Sequence, residues 1–304
     1  VRVCVVGAGA LGSVYGARLA RLSDCGVSLV ARAAGPPARV RLEKVDDGDV
    51  LEWSAPARVT EPPPGTDVIL AVVRYEQLEA LPGRVGAGST PVVVLTPMMP
   101  RDHAQLVAAL PGRIVTGMPS VVCYRNEAGA IRYWLPRSAT TFIEPRSSPG
   151  AEAELVKRLQ RADIPARLEP GVLERNVATT VSFIPLAMAL DAAGGLDALL
   201  DDRDLVALAL SATREGGELG RAVGKAEAWA GALLRFVGPL TLRMGLGLAR
   251  SRAPEAVTYA EQHFGHKLHA QNVAMAAQMV ELAHEKGTPA EHLTELLQRL
   301  RAHA

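Results

Sequence analysis

Cysteine is scarce in this 304-residue chain, and so are lysine, net charge and long apolar runs. The three cysteines, Cys4, Cys25 and Cys123, are odd in number and widely spaced, which fits neither a disulfide framework nor a zinc site. Cys4 lies in an apolar run and reads as core packing. A net charge of +1 gives no reason to expect a nucleic acid or an anionic membrane surface as partner. No stretch reaches ~18 uninterrupted apolar residues, so no membrane-spanning helix is expected. The chain opens directly on a strand pattern, with no basic, apolar and cleavage-site sequence ahead of it. Together these absences predict a reducing, cytoplasmic setting. Lysine occurs only at positions 44, 157, 225, 267 and 286, and arginine supplies the remaining basic residues. There is no internal repeat or low-complexity tract.

What is present is ordinary for a globular enzyme: 48% hydrophobic and 21% charged residues, in a length that suits two domains. Residues 1–7 (VRVCVVG) are a β-branched run ending in glycine, the pattern of a buried parallel strand. Residues 10–22 have helical apolar spacing, 26–32 read as a second strand, and 38–60 alternate as a small hairpin would. Strands follow at 67–73 and 91–97, with a helix expected from about Tyr75 and another over 101–110. Further strands are expected at 113–124, 129–135 and 139–144. Such alternation predicts an α/β fold with a doubly wound, mainly parallel Rossmann sheet. From Val172 onward the pattern is helical and no strand is evident. The expected division is a Rossmann domain over 1–168 and an all-helical substrate or dimerisation domain over 169–304, with a ligand cleft between them.

Gly7-Ala8-Gly9-Ala10-Leu11-Gly12 matches G-x-G-x-x-G. The motif alone is weak, but here it follows an expected strand and opens an expected helix. Gly7 suits the tight turn, Gly9 lets the backbone approach a pyrophosphate, and Gly12 permits close helix–strand packing. The residue closing the second strand selects the cofactor. An acidic side chain there would bind the ribose 2′-OH of NAD; this chain has Arg32, with Arg39 further on and no carboxylate between them. A guanidinium pairs with a 2′-phosphate, and Arg74 past strand 67–73 offers a second cation, so NADP(H) is the expected cofactor.

The order and spacing of VVGAGALGSVYGARLA, Arg32, DVILAVVRYEQLEAL, VATTVSFIPLAMAL and the helix before Gly287-Thr288-Pro289 resemble the ketopantoate reductase (2-dehydropantoate 2-reductase) family along nearly the whole chain. The resemblance implies hydride transfer from NADPH to a 2-keto acid. It also implies that Arg74 stands for a lysine near the NADP phosphate, with Val72 and Pro97 among the cofactor contacts. The family's proton-donating lysine falls, by spacing, on Asn176, and no lysine lies between Lys157 and Lys225. The next two substrate-binding asparagines fall on Thr180 and Ile184, and the loop Asn-Gly falls on Pro97-Met98. The late-helix glutamate and its partner asparagine fall on Gln271 and Ala276.

A charged donor, a charged anchor and several amides are thus exchanged for neutral or apolar groups. Each unmet buried polar contact costs roughly 1–3 kcal/mol, which points away from ketopantoate and toward a larger or less polar carbonyl, imine or enone. An iminium is already electron-poor and tolerates an amide where a lysine stood. Tyr259, His263, His266, Lys267 and His269 precede Gln271, and Lys267 shares a helix face with it at a spacing of four. The catalytic candidates are therefore Asn176, Thr180, Gln271, Lys267 and Tyr259, the alternative being a solvated helix face. Histidines three apart spiral round a helix, so no metal is expected. Glu215 and Glu218 read either as an acid–base pair or as a polar face. Two other functions stay open: a non-redox catalyst of cyclisation or isomerisation using the same cleft, and a non-catalytic NADP-binding protein. The expected partner is a small-molecule substrate, and the amphipathic C-terminal helices suit either a homodimer or packing on their own domain.

Overall fold

A computed structural model describes residues 1–136, 139–147, 150–224 and 268–302, together with 238, 241, 244, 245, 248, 251, 255 and 257–259. The chain divides into two units, Val1–Leu173 and Glu174–Ala304.

The first unit is α/β. Its apolar runs form β1 (Arg2–Val6), β2 (Gly26–Val30), β6 (Val68–Ala71), β7 (Val92–Val94) and β8 (Ile114–Met118), joined by β5 (Arg58–Val59), β11 (Thr141–Ile143) and β12 (Ala166–Leu168). They make one eight-stranded sheet in the order β12-β11-β8-β7-β6-β1-β2-β5. Every pairing in it is parallel except β11 with β8. Strands buried on both faces need continuous apolar sequence, as in Val92–Val94. The hairpin expected over 38–60 is present as β3 (Ala38–Lys44) and β4 (Val50–Ala55), but it belongs to a second sheet. That sheet runs β4-β3-β10-β9, with β9 at Val122–Arg125 and β10 at Ile131–Trp134.

Helix α1 (Ala10–Ala20) lies between the two sheets, touching β1 and β2 on one side and β9 and β10 on the other. It is buried without a break from Gly12 to Leu19, which explains why apolar and small residues surround it. The one charge inside that stretch is Arg18, whose guanidinium donates to the Tyr133 hydroxyl at 2.8 Å. Tyr15 is sealed in the same helix, its hydroxyl 2.7 Å from that of Thr141. Burial pushes its phenol up to about 12.

Several expectations fail locally. The strand expected over 113–124 is two strands in different sheets, because Pro119 lacks the N–H that would continue the ladder. In place of a helix from Tyr75 there is a 3₁₀ turn, Tyr75–Gln77, then the four-residue α2 (Leu81–Arg84), where Pro82 and Gly83 discourage extension. After α3 (Pro100–Ala109), an unforeseen helix, α4 (Ala151–Arg161), packs Leu155, Val156 and Leu159 into the core, and β12 follows it.

Helix α5 (Val172–Ala193) begins at the end of the first unit and runs into the second. The rest of the second unit has α6 (Leu196–Asp201), α7 (Arg203–Val223), α8 (His269–Lys286) and α9 (Glu291–Ala302), with no strand among its described residues. Pro185 has no N–H for the Val181 carbonyl one turn back, and α7 crosses there at Gly216, where any side chain would overlap that carbonyl. Further along α5, the buried Asp191 carboxylate accepts from Asn272 Nδ2 at 2.9 Å and lies 3.1 Å from His269 Nδ1 on α8. Glu215 on α7 accepts from the backbone N–H groups of His292 and Leu293 at 3.0 and 2.9 Å. It caps the start of α9 from a neighbouring helix, so Glu215 and Glu218 do not form an acid–base pair. By length and composition α5 is apolar enough to cross a membrane, but 72% of its most apolar window is buried within the protein.

Candidate functional site

The glycine turn follows β1 and lies at the carboxyl ends of β2 and β6. Gly7 N–H donates to the Val30 carbonyl at 3.1 Å, and Val72 N–H to the Val6 carbonyl at 2.8 Å. Gly7 has φ of +110° and lies against the Val72 carbonyl, so a side chain is excluded there on two counts. Gly12 lies against the carbonyl of Gly7 and the Val5 side chain, where a β-carbon would overlap both. Gly9, between them, caps α1, is exposed and has open space where a side chain would stand. The first helical bond returning to it is Ser13 N–H to Gly9 O, 2.9 Å. The N–H groups of Ala10, Leu11 and Gly12 therefore have no acceptor in the helix, and the first turn holds no acidic residue. An anion is the group such an end receives, and the packed glycines leave room for a dinucleotide's pyrophosphate to approach.

Arg32 is exposed beyond the end of β2, with no hydrogen bond or ion pair among the described residues. Arg74 is exposed past β6, its Nη1 3.8 Å from Glu76. Val72, directly after β6, is half-buried, with its carbonyl against Gly7. Thr96 Oγ1 donates to the Val73 carbonyl at 2.6 Å and so ties the end of β6 to the loop after β7. In that loop Pro97 is exposed, whereas Met98 and Met99 are fully buried, so Met98 is packing rather than an open apolar wall. Asp102 accepts from Met99 N–H at 3.0 Å and from the Tyr75 hydroxyl at 2.8 Å, which fixes the start of α3. Burial, then the adjacent Asp102 carboxylate, push the Tyr75 phenol well above its ordinary range.

The other candidates lie on α5 and α8. Asn176, Thr180 and Ile184 recur every four residues and share one face of α5. Glu144, at the end of β11, accepts from Gly171 and Val172 N–H at 2.8 and 2.6 Å and closes the start of that helix. Asn176 is 2% exposed, and its Nδ2 has no hydrogen-bond partner among the described residues. Thr180 is 8% exposed and Ala276 1%. Gln271 is half-buried on α8, and no hydrogen bond joins it to Asn176 or Thr180 among the described residues. Tyr259 is half-buried and helical, while His263, His266 and Lys267 lie outside the described residues. No group of three or more His, Cys, Asp or Glu able to hold a metal occurs among the described residues. Sequence reasoning missed Glu144 and Asp191; the only signal for Asp191 was a lone carboxylate in the apolar run LAMALDA.

A cavity of about 460 Å³ lies elsewhere, between α2 and the end of α3. Its one charged lining group, Arg113, is engaged with the carbonyls of Thr90, Gly86 and Val85, so it reads as structural.

Residues 3–142 match the family model described as ketopantoate reductase PanE/ApbA. No curated protein matches the chain significantly. Among solved structures, a PanE/ApbA family ketopantoate reductase from Ralstonia eutropha JMP134 is similar at 19% identity and a TM-score of 0.70, over 100% of this chain and 98% of that one. A 2-dehydropantoate 2-reductase from Geobacter metallireducens GS-15 is similar at 18% identity and a TM-score of 0.69, over 100% of both chains. A dimeric ketopantoate reductase from Staphylococcus aureus is similar at 13% identity and a TM-score of 0.67, over 99% of this chain and 100% of that one. Residues 3–142 are thus similar to the ketopantoate reductase PanE/ApbA family model, and the chain as a whole shares the fold of the solved ketopantoate reductases.

Proposed function

We propose that the protein is an NADPH-dependent reductase built on the ketopantoate reductase plan and acting on a carbonyl, imine or enone other than ketopantoate. The observation that carries the cofactor half is the open start of α1, framed by Gly7 and Gly12 and free of any acidic side chain. In this reading the amides of Ala8, Gly9, Ala10 and Leu11 receive the pyrophosphate, and Arg32 and Arg74 attract the 2′-phosphate. Val72 and Pro97 flank the rest of the dinucleotide. When bound, the cofactor supplies a hydride to an electron-poor carbon. Residues 1–168 hold it, and residues 169–304 carry substrate and dimer contacts.

The substrate half rests on Asn176. A buried carboxamide with an unmet N–H is costly in a resting protein, by roughly 1–3 kcal/mol, and a substrate oxygen or nitrogen would relieve that cost. An amide polarises an acceptor but gives up no proton at neutral pH, so the proton comes from another group, Tyr259 or Lys267. Thr180 and Gln271 add neutral polar contacts. With Glu144 closing the start of α5 and no lysine in the sequence between Lys157 and Lys225, the start of α5 attracts a small anionic keto acid poorly. A homodimer is supported by the dimeric Staphylococcus aureus relative. A cytoplasmic setting is supported by three free, buried cysteines.

The test is fluorescence titration with NADPH and NADH, for wild type and Arg32→Ala, followed by NADPH oxidation over a panel of ketones, imines and enones with ketopantoate as control. Tight NADPH binding, weaker NADH binding, loss of that preference in the variant and turnover outside ketopantoate are expected. Binding of neither nucleotide would end the cofactor reading; turnover of ketopantoate above all others would end the substrate reading.

A further inference from the structure

β5 is only two residues long, yet it closes the edge of the large sheet beside β2. Arg58 stands opposite Leu29 in the parallel register. On its other side it exchanges two backbone hydrogen bonds with Gly35: Gly35 N to Arg58 O at 3.0 Å and Arg58 N to Gly35 O at 2.8 Å. Leu29 and Gly35, the two ends of one segment, are therefore held on the same residue. Arg32 is the middle residue of that segment, three positions from either anchor, so at most ~11 Å of extended chain separates it from each. The backbone thus confines Arg32 and Arg58 to one corner of the sheet, at the end of β2.

The side chain of Arg58 reaches back over Gly35. Its Cζ and Nε both lie 2.9 Å from the point a β-carbon on Gly35 would occupy, so the guanidinium lies over the glycine. Arg58 and Arg32 are both exposed, and neither side chain has a hydrogen bond or ion pair among the described residues. Several arginines of this unit are already engaged: Arg41 pairs with Glu43 and Glu52, Arg132 with Glu43, and Arg158 and Arg161 with Asp24. Two uncompensated guanidinium groups at one loop repel each other until an anion joins them. A phosphate monoester presents three oxygens, enough to accept from both at once.

We propose that Arg58, seated over Gly35, is a second cation for the 2′-phosphate of NADP(H) and sets the preference over NAD(H) together with Arg32. This rests on the NADPH reading above. Arg74, already beside Glu76, then has the lesser share.

Calorimetric titration of the full chain with adenosine 2′,5′-bisphosphate and with adenosine 5′-monophosphate isolates the contribution of the extra phosphate. Arg58→Gln is expected to weaken the bisphosphate about tenfold, the loss of one charge-assisted contact, and to leave the monophosphate unchanged. Arg58→Lys should recover part of that loss. Unchanged bisphosphate affinity in Arg58→Gln, alongside a loss in Arg32→Gln, would overturn the role of Arg58 and leave the NADPH reading standing. A wild type that binds the two nucleotides equally would overturn both. Thermal melting of each variant separates lost contacts from lost folding.

Discussion

Helices α1 and α5 start in opposite electrostatic states. The first turn of α1 has a glycine cap, no acidic residue and three N–H groups without helical acceptors. The start of α5 is closed by Glu144, whose two oxygens take the N–H groups of Gly171 and Val172. The same backbone dipole is left available in one case and neutralised from within in the other. An external anion is therefore invited to the glycine turn and turned away from the helix that carries Asn176. The difference lies in the capping residues, not in the helices, so it is open to substitution.

The largest effect is expected at Gly12. Gly12→Val forces side-chain atoms into the Gly7 carbonyl, and NADPH affinity in a fluorescence titration should fall more than about 100-fold. Retained affinity would show that the turn has slack the packing denies.

Alkaline pH tests how firmly α1 is held behind its open start. The folded Tyr15 phenol is raised from its ordinary 10.0 to about 12 by burial, so the unfolded chain loses that proton first. The stabilisation is fully present below pH 10 and is lost as pH rises from there through about 12, by about 3 kcal/mol in all. Cys123, also pushed up to about 12 by burial, acts in the same direction. Denaturant midpoints measured across this range should decline less steeply in Tyr15→Phe than in wild type.

Opening α5 attacks the contrast directly. Glu144→Ala removes a charged acceptor from two N–H groups and should cost about 2 kcal/mol in urea unfolding. If the contrast is right, the variant also gains weak sulfate binding, visible as a rise in melting temperature with sulfate but not with chloride. The smallest effect is a gain: Asn176→Leu removes the unmet Nδ2 and should stabilise by about 1 kcal/mol. Turnover should vanish in that variant while NADPH binding persists. A stable, fully active Asn176→Leu would remove Asn176 from the chemistry.

The strand, glycine turn and helix at the start of the chain were legible because their signals are local. A β-branched run, three glycines at fixed spacing and a helix pattern lie within residues 1–22, and Arg32 follows at the next strand end. The second sheet was not legible, since β3 pairs with β10, a partner some ninety residues away that no periodicity announces. Arg58 escaped for the same reason: two residues are too short for any strand pattern, and their place is set by pairing with Leu29 and Gly35. Glu144 drew no reading and Glu215 read as part of an acid–base pair or a polar face, because a cap supplied from another element leaves no mark at the helix it serves. Asn176 was found only by counting along a resemblance.

Helix α5 also sets a problem of timing during synthesis. It is the most apolar helix described, yet its contacts at Gly216 and at His269 come from chain made later, His269 lying 78 residues beyond Asp191. At ribosomal rates that separation corresponds to roughly 4–16 s. For that interval a 22-residue apolar helix has emerged before part of its covering exists. Its exposure to chaperones and to aggregation is therefore greatest on the ribosome, before the second unit is complete.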